Sequence, residues 1–145
     1  MNVVIVDYGA GNIQSVLFAL ERQGVKAVLS NELEVIEKAD KVIFPGVGHA
    51  AAAMEKLQAS GIDILLPRLK QPLLGICLGM QLMTRSSEEG GAHGLGWVNA
   101  DTRRIEPANR THFKVPHVGW CTVRGTTGST LLKDVRTEDE PFYFC

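Results

Sequence analysis

Gly75-Ile76-Cys77-Leu78-Gly79 is the stretch that decides how this chain folds and what chemistry it suits. Upstream, Pro72-Leu-Leu-Gly-Ile76 reads as a short buried strand. Downstream, Met80-Gln-Leu-Met-Thr-Arg85 reads as the opening of a helix. A nucleophile set between two glycines at a strand-to-helix turn is forced into a tight, exposed position at the carboxyl edge of a sheet. A Cβ at either glycine would clash in so sharp a bend. The following helix directs its free N–H groups and positive dipole end at the sulfur, which favours thiolate over thiol. The arrangement suits acyl transfer through a cysteine; read by itself, a cysteine in an apolar run is also a small core residue.

Working outward, the pattern around this turn is that of a parallel α/β sheet. Val3 to Val6 is a continuous apolar run, as expected of a strand covered on both faces. The glycine-rich turn Asp7-Tyr-Gly-Ala-Gly-Asn12 follows it. Ile13, Val16, Leu17 and Leu20 then fall on one face of a helix that ends near Gly24. Val25 to Leu29 reads as a second strand, and Asn31 as the cap of a short acidic helix from Glu32 to Lys38. Lys41 to Phe44 is a third strand, ended by Pro45-Gly-Val-Gly48. An alanine-rich helix from Ala50 to Ala59 and a helical segment from Ile62 to Leu69 lead to the fourth strand, Pro72 to Ile76. Past Gly90 the pattern loosens: Ser86 to Gly96 reads as a polar loop, and Val98 to Ile105 and Cys121 to Arg124 as less regular strands. No repeat, low-complexity tract or linker divides the chain, so residues 1–145 read as a single domain.

Alternating strands and helices imply right-handed crossovers, and a flavodoxin-like, doubly wound sheet has strand order 2-1-3-4. That order makes the third and fourth strands neighbours, so that Pro45-Gly-Val-Gly48 and Cys77 meet at one carboxyl edge. A thiolate attacking a carbonyl carbon generates an oxyanion that needs preorganised donors. The Leu78 N–H, just after the nucleophile, is one candidate. A backbone N–H from Gly46-Val47-Gly48 is the other. Taken alone, Pro45-Gly-Val-Gly48 reads first as a strand-ending turn, since glycine and proline are the ordinary punctuators of loops.

Composition narrows the classes. With 45% hydrophobic and 21% charged residues over 145 positions, the chain has the make-up of a soluble globular domain able to bury a core. A formal net charge of −1 gives no reason to expect nucleic acid or an anionic membrane as partner. No apolar run reaches the length of a membrane span, and the N-terminus lacks a signal-peptide pattern. Cys77, Cys121 and Cys145 form neither a disulfide framework nor a zinc site, and a reducing cytoplasm fits them best. No metal or cofactor is expected.

Six stretches together resemble the class I glutamine amidotransferases, and within them the glutaminase subunits of imidazole glycerol phosphate synthase. They are Asp7-Tyr-Gly-Ala-Gly-Asn12, Phe44-Pro-Gly-Val-Gly48, Gly75-Ile-Cys-Leu-Gly-Met-Gln-Leu82, Arg85-Ser-Ser-Glu-Glu89, Pro116-His-Val-Gly-Trp120 and Phe142-Tyr-Phe144. The elbow is shared by many amidotransferases; the N-terminal turn and Pro-His-x-Gly-Trp are more specific. The resemblance implies that Cys77 hydrolyses L-glutamine through a glutamyl thioester. It makes Gly48, Leu78 and Gln81 substrate-pocket residues and Val47 and Leu78 the oxyanion donors. Gly11, Asn12, Trp120 and Tyr143 match positions that lie toward a cyclase subunit, a (β/α)₈ barrel forming a heterodimer with the glutaminase. That partner uses the ammonia to form imidazole glycerol phosphate and AICAR in histidine biosynthesis. Trp120 and Tyr143 also read as core aromatics.

Two departures stand out. Cys121 follows Pro-His-Val-Gly-Trp120 where the family usually has asparagine, which touches a polar contact at that edge. A cysteine nucleophile also needs a base oriented by a third group. The resemblance assigns these to a histidine and a glutamate in a Phe-His-Pro-Glu stretch near the C-terminus, which the 145 residues do not contain. His49, His93, His112 and His117 are not expected to replace that base. The chain is therefore expected to be inactive as written and to be an incomplete record. The alternatives left open are a non-catalytic subunit that only docks on the cyclase, and the glutaminase of another class I amidotransferase.

Overall fold

The computed structural model describes residues 1–108, 114–123, 131–133, 135 and 139–144. They fall into two compact units, Met1–Arg104 and Ile105–Cys145. His112, Arg124 and Cys145, which the sequence reading touched, lie outside the described residues.

The first unit opens with β1 (Val3–Val6), α1 (Ile13–Arg22), β2 (Ala27–Ser30), α2 (Leu33–Glu37), β3 (Lys41–Gly46), α3 (Ala50–Ser60) and α4 (Ile62–Leu65). A 3₁₀ turn, Leu66–Arg68, leads into β4 (Leu73–Cys77) and the short α5 (Leu78–Leu82). The sheet order is β2-β1-β3-β4, all parallel, as the alternating pattern requires. One face carries Val4, Val42 and Phe44, packed with Leu57 of α3, Ile62 of α4, Leu66 and Leu82. The other carries Val3, Ile5 and Ile43 against Ile13, Val16, Leu17 and Leu20 of α1, the predicted helical stripe. Full burial of a side chain such as Phe44, Leu57 or Ile62 contributes about 1.5–3 kcal/mol. The exposed Lys38–Glu34 pair at 3.3 Å contributes about 0.3–0.5 kcal/mol. Apolar burial therefore holds this unit together.

Four local expectations differ from the structure. Asn31 does not cap α2; the cap position is Glu32, and the Ser30 hydroxyl accepts a hydrogen bond from the Glu32 N–H at 3.0 Å. β3 does not stop at Phe44 but continues through Pro45 and Gly46, because the ladder with β4 runs to the pairing of Gly46 with Cys77. β4 is not buried on both faces: Leu74 and Ile76 are exposed, because among the described residues β4 is an edge strand and α1 packs over β1 and β3. Finally, the supposed loop past Arg85 holds β5 (Ser86–Ser87), a 3₁₀ turn (Glu89–Gly91) and β6 (Ala92–His93), which join β7 (Asp101–Thr102) in a small sheet of order β6-β5-β7. Only Asp101 and Thr102 of the expected Val98–Ile105 strand pair in it. Side chains fasten this sheet more than apolar pattern does: Asp101 accepts from Arg85 at 2.7 Å and from the Ser86 hydroxyl at 2.8 Å, and the Thr84 and Thr102 hydroxyls meet at 3.1 Å. The Ser86 hydrogen bond, with the Arg85 guanidinium beside it, holds the Asp101 carboxyl below the usual carboxylate range.

The second unit pairs β8 (Gly119–Cys121) antiparallel with β9 (Phe142–Phe144). No helix among the described residues is long and apolar enough to cross a membrane.

Candidate active site

Cys77 ends β4 and occupies the position just before α5, with φ 53° and ψ −118°. Among the described residues it alone combines a side chain with positive φ. Such a conformation costs on the order of 1–3 kcal/mol and persists only where the surroundings over-determine it. The two flanking glycines supply that determination. A Cβ on Gly75 would lie 2.5 Å from the Met83 sulfur and 2.8 Å from the Met80 Cα, and a Cβ on Gly79 would collide with the Phe44 carbonyl oxygen. Backbone thus packs directly on backbone on both sides of the cysteine, whose side chain stays exposed.

The β3–β4 register sets Gly46 opposite Cys77, so the glycine loop and Cys77 share one carboxyl edge, as the strand order implied. Pro45 and Gly46 are buried, whereas Val47, half exposed, and Gly48 reach into solvent. Gly48 has φ +100°, a conformation that suits glycine. Leu78 is buried just behind Cys77, and the half-buried Gln81 follows one turn on, its carbonyl accepting from the Thr84 hydroxyl at 2.7 Å. Cys77, Leu78, Gln81, Val47 and Gly48 therefore sit on two adjoining segments of one sheet edge.

Three residues at this edge escaped the sequence reading. Tyr8 is buried, its ring tilted at 51° against Phe44 with centroids 5.4 Å apart, and its phenol is pushed up to about 12 by burial and, secondarily, by the charge of Cys77. Glu89 accepts the Ala50 N–H at 2.9 Å and so caps α3 just after the glycine loop. Lys56 donates to the Gly9 carbonyl at 2.7 Å, tying the N-terminal turn to α3. A Glu-Glu pair after a helix and a Tyr-Gly turn carry no pattern that reveals such partners.

The predicted partner-facing residues divide between the units. Asn12 caps α1, its side-chain oxygen accepting from the Ser15 N–H at 3.4 Å, while its side chain remains exposed. Gly11, at φ +119°, approaches Pro45 so closely that a Cβ there would lie 3.4 Å from the proline ring. In the second unit Trp120 pairs with Tyr143, their rings 5.3 Å apart and edge-on at 66°, and both are well exposed rather than core. The Cys121 sulfur lies 3.2 Å from His117 Nε2. His49 packs over Gly90 and His93 lies in β6; among the described residues none of His49, His93 and His117 hydrogen-bonds Cys77.

Comparison with known proteins agrees with this geometry. Residues 4–137 match the family described as glutamine amidotransferase class-I. The imidazole glycerol phosphate synthase subunit HisH of Bacteroides thetaiotaomicron is 50% identical over 144 residues, covering 99% of this chain and 72% of its own. Subunit HisH 2 of Methanococcus maripaludis is 44% identical over 146 residues, covering 98% and 71%. A solved structure described as a glutamine amidotransferase shares the fold with a TM-score of 0.60 at 23% identity, covering 70% of this chain and 56% of that one. The chain belongs to the class I glutamine amidotransferase family, in the branch of the HisH subunits of imidazole glycerol phosphate synthase.

Proposed function

We propose that this chain is the glutaminase subunit of an imidazole glycerol phosphate synthase, hydrolysing L-glutamine at Cys77 and delivering ammonia to a cyclase subunit in the cytoplasmic synthesis of histidine. The observation that carries the reading is the pairing of Gly46 with Cys77 at the end of a strained strand-to-helix turn. It sets a nucleophile beside a loop able to supply oxyanion donors.

In this mechanism the Cys77 sulfur attacks the side-chain amide carbon of glutamine. The oxygen that becomes negative is held by the N–H of Leu78 and the N–H of Val47. Collapse expels ammonia and leaves a γ-glutamyl thioester, which water hydrolyses to glutamate and free thiol. Gly48, Leu78 and Gln81 line the glutamine side of this edge. The base that takes the thiol proton is assigned by family resemblance to the histidine of a Phe-His-Pro-Glu stretch, and both compact units are taken to serve one glutaminase domain.

The positions assigned to the partner by resemblance are Gly11 and Asn12 in the first unit and Trp120 and Tyr143 in the second. Exposure of the Trp120–Tyr143 pair favours docking over core packing, since exposed aromatic pairs are strong interface anchors. The barrel nature of the cyclase and the heterodimer belong to this same reading. Gly11 lies close enough to Pro45 that a Cβ there would touch the proline ring, and this proximity offers a physical link from the docking turn to the oxyanion loop. Gly46 and Gly48 leave the Val47 N–H free to turn away from the substrate until docking turns it inward.

The test compares glutamate release by the full-length protein with and without its cyclase subunit. The partner should raise turnover about a hundredfold or more, the worth of one oxyanion donor, with a far smaller change in glutamine KM. A partner that only tightened glutamine binding would move the gate away from this loop.

A further inference from the structure

Tyr8 has no part in the chemistry described so far, yet it occupies the floor of the site. Its side chain is 6% exposed, and among the described residues its hydroxyl has no hydrogen-bond partner. Buried hydroxyls are almost always paired, because an orphan loses its hydration and gains nothing in exchange. The packing around Gly46 shows where this hydroxyl ends. A Cβ on Gly46 would lie 2.6 Å from it, 2.7 Å from the Gly79 nitrogen and 2.9 Å from the Leu78 Cβ. The hydroxyl therefore occupies the space that any side chain at position 46 would fill. The hydroxyl is buried, whereas the side chains of Cys77, the ladder partner of Gly46, and of Val47, its chain neighbour, are exposed.

The two ends of a planar trans peptide point in opposite directions. When the Gly46–Val47 peptide aims the Val47 N–H outward over Cys77, it aims the Gly46 carbonyl inward, toward Tyr8. We infer that the Tyr8 hydroxyl is a latch on this peptide: it donates to the Gly46 carbonyl when the Val47 N–H faces the substrate, and is orphaned when the peptide turns away. The inference rests on the oxyanion role proposed above for Val47 and names the residue that holds that donor in place. An unpaired hydroxyl raises the energy of the turned-away arrangement and its pairing lowers that of the competent one, so both effects favour the competent orientation. With its phenol pushed up to about 12, Tyr8 remains a protonated donor across the neutral range. Tyr8 is a positioning residue, acting on substrate only through the Val47 N–H.

Tyr8→Phe removes one oxygen and keeps the ring packed against Phe44. In the full-length protein bound to its cyclase subunit, glutamine turnover should fall about tenfold while KM for glutamine stays within about twofold. The melting temperature of the uncomplexed variant should be unchanged or higher, because an orphan hydroxyl has been removed. Slower turnover with undiminished stability is the signature of the latch. Unchanged turnover overturns it. A joint fall in turnover and melting temperature also overturns it, showing that the hydroxyl serves packing alone. If the unmodified complex releases no glutamate from glutamine, the glutaminase reading itself fails, and the latch with it.

Discussion

Gly46 and Cys77 face each other as the last paired residues of β3 and β4. One carries no side chain because Tyr8, Leu78 and Gly79 occupy the space for it; the other carries its side chain on a backbone with φ 53°. The same crowding that excludes a Cβ at one position supports the strained turn at the other. Stability and site geometry are therefore coupled through a few backbone contacts.

Gly79 exposes that coupling most sharply. Its Cα abuts the Phe44 carbonyl, and neither backbone has room to move without shifting β3. Gly79→Ala should destabilise the protein by about 3 kcal/mol or more, at the upper end of overpacking effects. Gly48→Ala has open space and meets only the backbone strain of φ +100°, roughly 1–2 kcal/mol. Urea unfolding of the two variants checks the order; equal losses would mean that the β3–α5 contact is looser than described.

Tyr8 gives the fold an alkaline limit. Burial pushes its phenol up to about 12 in the folded state from the ordinary 10.0, so the unfolded state releases its proton first. Stability from this group is complete below pH 10 and declines as pH rises from 10 to 12, by roughly 3 kcal/mol at most. Chemical denaturation across that range should show the decline in the unmodified protein and lose much of it in Tyr8→Phe. A parallel decline in both would assign the alkaline sensitivity to other groups.

Trp120 and Tyr143 predict a docking hot spot. Trp120→Ala removes an exposed edge-on aromatic pair without opening the core of the first unit. Affinity for the cyclase subunit should drop about 10–100-fold, read by titration calorimetry, with little change in melting temperature. Unaltered affinity would remove Trp120 from the interface.

Much of this was legible in the sequence because it rests on period and on glycine. Val3 to Val6, the Ile13–Leu20 stripe and the Gly75–Gly79 turn each have one local reading, and together they set the order β2-β1-β3-β4. What stayed hidden depends on contacts distant in sequence. Glu89 capping Ala50, Lys56 reaching Gly9 and Tyr8 under Gly46 join segments 38 to 47 residues apart, and no local pattern encodes them. The β6-β5-β7 sheet was missed because its strands are two residues long and fastened by Arg85, Ser86 and Asp101 rather than by alternating apolar residues.

The central claim is that Cys77 is the nucleophile that releases ammonia from glutamine, and replacing it alone tests that most directly. In the full-length protein bound to its cyclase subunit, Cys77→Ala should abolish glutamate release and glutamine-dependent cyclisation. Partner binding and cyclisation fed by added ammonium should be retained, because the side chain is exposed and the change leaves the core intact. Glutamate release by Cys77→Ala at the unmodified rate would contradict the account.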